Sequence, residues 1–368
     1  MTLTTEKTMP TKYKAPCTDA ELVAKLAVTH NLDDAELIQL LESTSQELNA
    51  LLAAAADKTR RQSYGDAVYI RGLIEFTNYC KNNCYYCGIR AGNCKAQRYR
   101  LSQEQILRCC AEGYELGFRT FVLQGGEDPY FTDDKVCHIV GAIRAQHPDC
   151  AITLSIGEKE RHSYQAFFDA GANRYLLRHE TANPEHYGKL HPSGMSLENR
   201  QRCLYALKEI GYQVGSGFMV GSPYQSTATL IQDIRFLQQL EPDMIGIGPY
   251  INHPDTPFKN MSSGTAEQTL RLLSMLRLFF PHALLPSTTA LGTIHPQGRE
   301  LGLQAGGNVV MPNLSPVETR RLYELYTDKI CMDAEAAQGL SLLKEQVTKA
   351  GYHIVTDRGD VKRPISKL

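Results

Sequence analysis

The chain has 368 residues, 42% of them hydrophobic, with 39 Lys and Arg against 40 Asp and Glu. This length and apolar content suffice for a substantial core, and the charge balance excludes both the basic excess that attracts nucleic acid and an acidic tail. No charged-then-apolar leader opens the sequence, and its most apolar stretch, 272–286, is broken by Arg277, Pro281 and His282, so no membrane span is expected and the protein is expected in the cytoplasm.

Taken in chain order, residues 21–30, 34–42 and 46–56 have the spacing of short amphipathic helices, with Asp33 and Ser45 as N-caps. They form an N-terminal helical extension over 1–68. From Tyr69 onward, apolar β-rich runs alternate with helical segments. Strands are expected near 69–77, 119–124, 151–156, 173–179, 213–220, 243–250, 283–289 and 307–312. Helices are expected near 102–116, 133–146, 161–170, 196–210, 226–240, 265–280, 298–305 and 316–325. Eight such units across 69–326 match the size of a complete α/β (β/α)8 TIM-type barrel, roughly 250 residues; a doubly wound open sheet is the alternative. The remainder, 327–368, reads as one helix (334–350) and a basic tail ending Lys362-Arg363-Pro364, expected to close one end of the barrel.

In such a barrel the chemistry sits in loops at the C-terminal ends of the strands. The first strand leads into Cys80-Lys-Asn-Asn-Cys84-Tyr-Tyr-Cys87 and the second into Gln124-Gly125-Gly126-Glu127-Asp128-Pro129. The third ends at Ser155, the fourth at Arg178-His179-Glu180-Thr181 and the fifth at Met219-Val220-Gly221. The sixth runs into Tyr250-Ile251-Asn252-His253, the seventh into Thr288-Thr289 and the eighth into Met311-Pro312-Asn313.

Eleven cysteines in a chain this long do not read as a small disulfide framework, so their spacing matters more than their number. The C-x3-C-x2-C spacing of Cys80, Cys84 and Cys87 puts three soft thiolates on one loop, a donor set for zinc or an iron-sulfur cluster. Structural zinc needs a fourth ligand and commonly a second paired knuckle; Cys94 is the nearby candidate for a fourth. A 4Fe-4S cubane held by three cysteines leaves one iron open to a further ligand. Cys109, Cys110, Cys137, Cys150 and Cys203 read as packed thiols. Adjacent strand residues face opposite sides, so with Glu180 inward, His179 packs behind the strand. His253 and His295 read as solvated loop histidines.

The motif ending in Tyr86-Cys87, placed after a first strand and in register with Gly125-Gly126-Glu127 after the second, resembles the radical S-adenosylmethionine (SAM) superfamily. That resemblance implies one 4Fe-4S cluster on Cys80, Cys84 and Cys87, with SAM on the open iron. SAM would be cleaved to methionine and a 5′-deoxyadenosyl radical by an electron from a reduced donor. Tyr86 would lie beside the adenine, and Gln124, Gly125, Gly126 and Glu127 would bind the SAM amino group through backbone carbonyls.

A wider pattern is similar to the HydE family of FeFe-hydrogenase maturases over about 20–331. It comprises Gly126-Glu-Asp-Pro-Tyr130, Arg178-His-Glu-Thr-Ala-Asn-Pro184, Gly248-Pro-Tyr250, His253-Pro-Asp-Thr-Pro257, Thr288-Thr-Ala-Leu-Gly-Thr293 and Asn308-Val-Val-Met-Pro-Asn313. The resemblance implies SAM contacts at Ser155, Glu180, Arg200 and Met219. Glu180 suits the ribose hydroxyls, and Arg200 suits the methionyl carboxylate through two parallel bonds; the bland alternative for Arg200 is a surface helix charge. Arg178, Thr288, Thr289, Met311 and Tyr323 match positions lining the family's inner cavity.

The implied substrate is a small sulfur-bearing, iron-cyanide-carbonyl precursor handed over by another hydrogenase maturase, with no nucleic-acid or membrane partner. Some members carry a second cluster near the C-terminus on a cysteine followed by two more; here Cys331 is followed at those positions by Gly339 and Leu342, so a single cluster is expected. A methylornithine-synthase-like mutase, a biotin-synthase-like sulfur inserter and a non-catalytic iron-sulfur carrier are the competing readings.

Overall fold

In the computed structural model, which describes residues 17–330 and 336–363, the chain opens with three helices, α1 (Asp19–Thr29), α2 (Asp34–Glu42) and α3 (Gln46–Tyr64). Their starts are chemically marked. Thr18 with Glu21, and Asp33 with Glu36, form reciprocal capping boxes, and the Ser45 hydroxyl accepts from the Leu48 N–H at 3.1 Å. Helix α3 runs well past the expected 56, because Thr59, Arg60 and Tyr64 continue its buried face until Gly65, at φ 59°, ends it.

Strands and helices then alternate. They are β1 (Ala67–Ile70), β2 (Gly72–Thr77), α4 (Gln103–Glu115), β3 (Thr120–Gly125), α5 (Asp133–Gln146), β4 (Ala151–Ser155), α6 (Arg161–Asp169), β5 (Arg174–Leu176), α7 (Pro184–Leu190), α8 (Leu197–Ile210), β6 (Gln213–Ser216) and β7 (Met219–Val220). The second half has α9 (Thr227–Leu240), β8 (Met244–Ile245), β9 (Gly248–Pro249), α10 (Ala266–Phe279), α11 (Thr289–Ile294), α12 (Gly298–Gln304), β10 (Val309–Val310), α13 (Val317–Arg320), α14 (Ala336–Lys349) and β11 (His353–Val355).

The main sheet is parallel, in the order β2-β3-β4-β5-β6-β8. A second parallel sheet has the order β10-β1-β11, and β7 pairs with β9. Isolated bridges link Met244 to Leu284, Pro286 to Val309, and Leu73 to Asn313. Every residue of β2 is buried, as expected of a parallel strand covered on both faces. Leu22, Leu26, Leu37, Leu40, Leu48 and Leu52 bury the N-terminal helices in a core cluster shared with α9 and α10.

Several expectations need correction. The strand expected over 69–77 is two strands in different sheets, divided at Arg71. The run 283–289 forms no ladder, only the bridges at Leu284 and Pro286; a proline within it has no N–H to give. The helix expected over 316–325 is the single turn α13, because the Leu322 and Leu325 carbonyls accept instead from the Asn78 side chain and the Gly88 N–H. Helices α7 and α11 and strand β11 were not expected.

Residues 353–363 cross the N-terminal ends of the strands. Strand β11 lies alongside β1, Arg174 at the start of β5 bonds Asp360 at 2.6 Å and the Arg358 carbonyl at 2.8 Å, and Gln213 at the start of β6 also bonds Asp360. The opposite, C-terminal rim is left to the loops. No helix among the described residues is long and apolar enough to cross a membrane.

Candidate active site

The C-terminal rim opens into a cavity of about 320 Å3, within the range of roughly 300–1,000 Å3 typical of small-molecule sites. Its wall carries Cys80, Cys84, Tyr86 and Cys87 from the loop after β2, and Gln124, Gly125, Gly126 and Glu127 from the end of β3. Ser155, Arg178, Glu180, Arg200, Met219, Thr288 and Tyr323 complete the set of expected residues found there. Thr289 and Met311 depart from expectation: they line a separate cavity of about 50 Å3 with Arg320 and Lys329. Thr288 caps α11 and Thr289 is its first residue, so the turn of the helix carries neighbouring side chains to different cavities.

The cysteine loop is held from several sides. The Lys81 N–H donates to the Glu127 carbonyl at 2.9 Å, the Tyr85 N–H to the Leu190 carbonyl at 3.0 Å, and the Gly88 N–H to the Leu325 carbonyl at 2.9 Å. Arg98 donates to the carbonyls of Ile89, Arg90 and Asn93. Asp128 joins the loop to the strands: it accepts from the Thr77 hydroxyl at 2.8 Å and from Arg100 at 2.6 and 2.9 Å, and Arg100 stacks on Tyr79 with its guanidinium 3.8 Å from the ring centre. Gly126 has to be a glycine, since a Cβ there would lie 2.2 Å from the Tyr79 carbonyl oxygen and 2.7 Å from the Cys80 Cβ.

Burial pushes all three thiols above their ordinary range, Cys87 to about 12. They become thiolates when a metal takes the place of their protons, so loading is coupled to proton release. Among the described residues no group of three His, Cys, Asp or Glu could hold a single metal ion. A cubane asks for something else, because each of its cysteines binds a different iron. Cys94 is exposed, whereas Cys80, Cys84 and Cys87 are half-buried.

The rest of the cavity is lined with opposed charges. Arg178 Nη2 lies 3.0 Å from Glu180 Oε2, and Arg200 Nε 2.8 Å from Glu158 Oε1, yet none of these four atoms makes a hydrogen bond of acceptable geometry. Buried polar atoms left this way are costly, and they are suited to a polar ligand. Arg200 is only 8% exposed, so it is not a surface helix charge. Burial alone disfavours its charge, but Tyr187, Glu158 and Glu127 outweigh that and hold it above the ordinary arginine value.

The sequence reading missed His191. It is buried, its Nδ1 faces the Tyr187 carbonyl at 3.0 Å, and its ring stacks on Tyr187 with centres 4.0 Å apart. Burial holds it down at about 3, hence neutral, so the proton sits on Nδ1 and Nε2 accepts from the Tyr86 hydroxyl at 3.2 Å. This fixes Tyr86 beside the cysteines. Asn183 as N-cap followed by Pro184 at the first helical position was the available signal for α7, which brings His191 there. His179 lies behind the strand as expected, fully buried; His253 is buried too, not solvated. Of the remaining cysteines, Cys109, Cys110, Cys150 and Cys203 are buried and Cys137 half-buried. Cys331 lies outside the described residues.

Comparison with known proteins identifies the class. Residues 74–237 match the family model described as the radical SAM superfamily. The chain is 43% identical to "[FeFe] hydrogenase maturase subunit HydE" of Thermotoga maritima over 89% of this chain and 93% of that protein. It is 31% identical to "3-methylornithine synthase" of Methanosarcina barkeri over 79% of this chain and 82% of the other. The crystal structure of methylornithine synthase (PylB) superposes with a TM-score of 0.80 at 26% identity, covering 91% of this chain and 97% of that one. The chain is a radical SAM enzyme, a class that uses a 4Fe-4S cluster and SAM. Within that class the chain belongs to the HydE family.

Proposed function

We propose that this protein cleaves SAM reductively and directs the resulting radical onto a small sulfur-containing iron precursor during assembly of the FeFe-hydrogenase diiron subcluster. The observation that carries this reading is the meeting, in one cavity, of a three-thiol loop with the opposed charges of Arg178, Glu180 and Arg200. The hydrogenase assignment comes from the maturase relative.

The residues fit both groups. Three half-buried thiols offer a soft donor set, Gly126 leaves room against the loop, and the charged lining suits a zwitterion. When bound, the cluster supplies the electron that breaks the sulfur–carbon bond of SAM, giving methionine and a 5′-deoxyadenosyl radical. Arg200 orients the methionyl carboxylate through its planar fork, Glu180 accepts from the ribose hydroxyls, and Tyr86, fixed by His191, flanks the adenine. Gln124, Gly125, Gly126, Glu127, Ser155 and Met219 form the rest of the SAM wall. Arg178, Thr288 and Tyr323 hold the substrate deeper in the cavity. Buried walls keep out the water and solutes that would quench a radical.

We also infer that the strands form a closed (β/α)8 ring between an N-terminal extension (1–68) and a C-terminal cap (327–368). Support comes from the bridges that continue the pairing past β8 through Leu284, Pro286 and Val309, and from Leu73 to Asn313. The ten described cysteines are all free thiols, which fits a reducing cytoplasm. A reduced electron donor and the other hydrogenase maturases are the proposed partners.

The test is anaerobic. Reconstituted protein with SAM and a reductant is expected to release 5′-deoxyadenosine and methionine, and a maturation mixture lacking this protein is expected to give inactive hydrogenase until it is added. No cleavage products would leave an iron-sulfur carrier. Formation of 3-methylornithine, the product named for the relative of 31% identity, would instead favour a mutase.

A further inference from the structure

Glu180 reaches the cavity through a backbone conformation that side chains avoid, with φ at 65°. The backbone bonds around it do not explain this. Its own N–H donates to the Gly217 carbonyl at 3.1 Å, a bond that an extended residue would also make. The two residues before it are pinned in opposite directions. Arg178 faces the cavity beside Glu180, while His179 points outward into the layer between the strands and α9.

We propose that buried His179 and Asp233 act together as a positioning pair, clamping the segment 178–182 to α9 so that Glu180 is held in its left-handed conformation with its carboxylate on the cavity. The functional part of this claim rests on the reading of Glu180 as a SAM contact.

The pair is anchored through Ser216 on one side and the Ala182 N–H on the other. His179 Nδ1 lies 3.0 Å from the Ser216 hydroxyl, which itself donates to the Leu177 carbonyl at 3.1 Å. His179 Nε2 lies 3.5 Å from Asp233 Oδ1, in close contact but with no hydrogen bond between them, and both residues are wholly buried. The same Asp233 oxygen accepts from the Ala182 N–H at 2.5 Å. The carboxylate therefore holds the chain on both sides of Glu180, by side chain before it and by backbone after it. Phe236 of α9 and Phe218 flank the imidazole, with ring centres 4.9 and 5.9 Å away. Phe218 also forms the isolated bridge to Glu180. A buried carboxylate is expensive unless partners meet it; on Asp233, Oδ1 has the Ala182 N–H and Oδ2 has none, in an otherwise apolar face of α9 made by Leu230, Ile234 and Leu237.

The test compares reconstituted protein with His179→Ala, Glu180→Ala and the double variant, matched for iron content, by anaerobic calorimetric titration with SAM. His179→Ala and Glu180→Ala are each expected to weaken SAM binding on the order of tenfold, and the double variant no further than Glu180→Ala alone. Losses that multiply in the double variant would overturn the coupling. Asp233→Asn, which keeps an acceptor for the Ala182 N–H, is expected to bind SAM better than Asp233→Ala.

A crystal structure of His179→Ala without SAM decides the positioning claim separately. Glu180 is expected at negative φ with its carboxylate drawn away from Arg178, and Glu180 unmoved sinks the proposal whatever SAM does. If Glu180→Ala binds SAM normally, the reading of Glu180 as a SAM contact falls and that crystal structure still judges the clamp. Should His179→Ala fail to fold, His179→Gln takes its place in both measurements with the same expected outcomes.

Discussion

At the scale of single residues, the cysteines separate by environment. Cys84→Ser is expected to lose the iron and with it SAM cleavage, whereas Cys94→Ser, altering an exposed thiol, should retain about four irons per chain and full cleavage. Iron analysis of the two variants decides it, and iron loss in Cys94→Ser would overturn the three-ligand assignment. Arg200→Lys keeps the charge but not the fork, so SAM affinity should fall about tenfold or more with the fold intact.

Asp128 adds a pH signature. Burial by itself favours its neutral acid, but the bonds from Arg100, Tyr130 N–H and Thr77 outweigh burial and hold it below the usual carboxylate range. Its contribution is therefore present above the unfolded value of about 3.9 and is lost as pH falls through the lower folded value. The melting-temperature gap between wild type and Asp128→Asn should be full at neutral pH and shrink below about pH 4. At this scale the sequence showed most of the residues that meet in the cavity. It did not show His191 or Asp233, whose roles come from what they touch and not from any spacing near the motif.

At the scale of elements, legibility followed periodicity and capping. Helices α2 and α5 fall on their expected bounds: in α2 the Asp33 cap and the apolar spacing agree, and in α5 the spacing carries it without a side-chain cap bond from Thr132. Short strands fared worse: β7, β8, β9 and β10 have two residues each, and breaks at 217–218 and 246–247 divide runs that read as continuous. A Cβ on Gly217 would fall 2.0 Å from the Gly246 carbonyl oxygen, so the two chains touch where each strand breaks. Helix α13 fell short because the Leu322 and Leu325 carbonyls just beyond it serve Asn78 and Gly88, a tertiary demand that local sequence does not announce. The N-terminal helices give a clean stability test. Leu48 is completely buried against the α10 cluster, and Leu48→Ala should cost about 2–5 kcal/mol by chemical denaturation while leaving SAM affinity unchanged.

At the scale of the whole molecule, the two rims differ, cavity-lining loops on one and the C-terminal segment on the other. Arg174 is 3% exposed and depends on Asp360 for its partner charge. Asp360→Asn should therefore destabilise the protein by about 1–2 kcal/mol, read as a lower denaturant midpoint, with SAM cleavage preserved at low temperature. An unchanged midpoint would show that the Arg358 carbonyl and Thr120 suffice for Arg174.

Strand β1 lies between β10 and β11, so both of its hydrogen-bonding edges are satisfied by residues 309–310 and 353–355. During synthesis the first strand to emerge is thus the last to be paired on either side, with two open edges for most of the time the chain is on the ribosome. Such edges are templates for pairing with the wrong chain, and the long sequence separation slows their proper closure. Folding yield in the cell is therefore expected to depend on how long the nascent chain waits for residues 353–355, and a chaperone that shields β-edges would help this protein before any cluster is inserted.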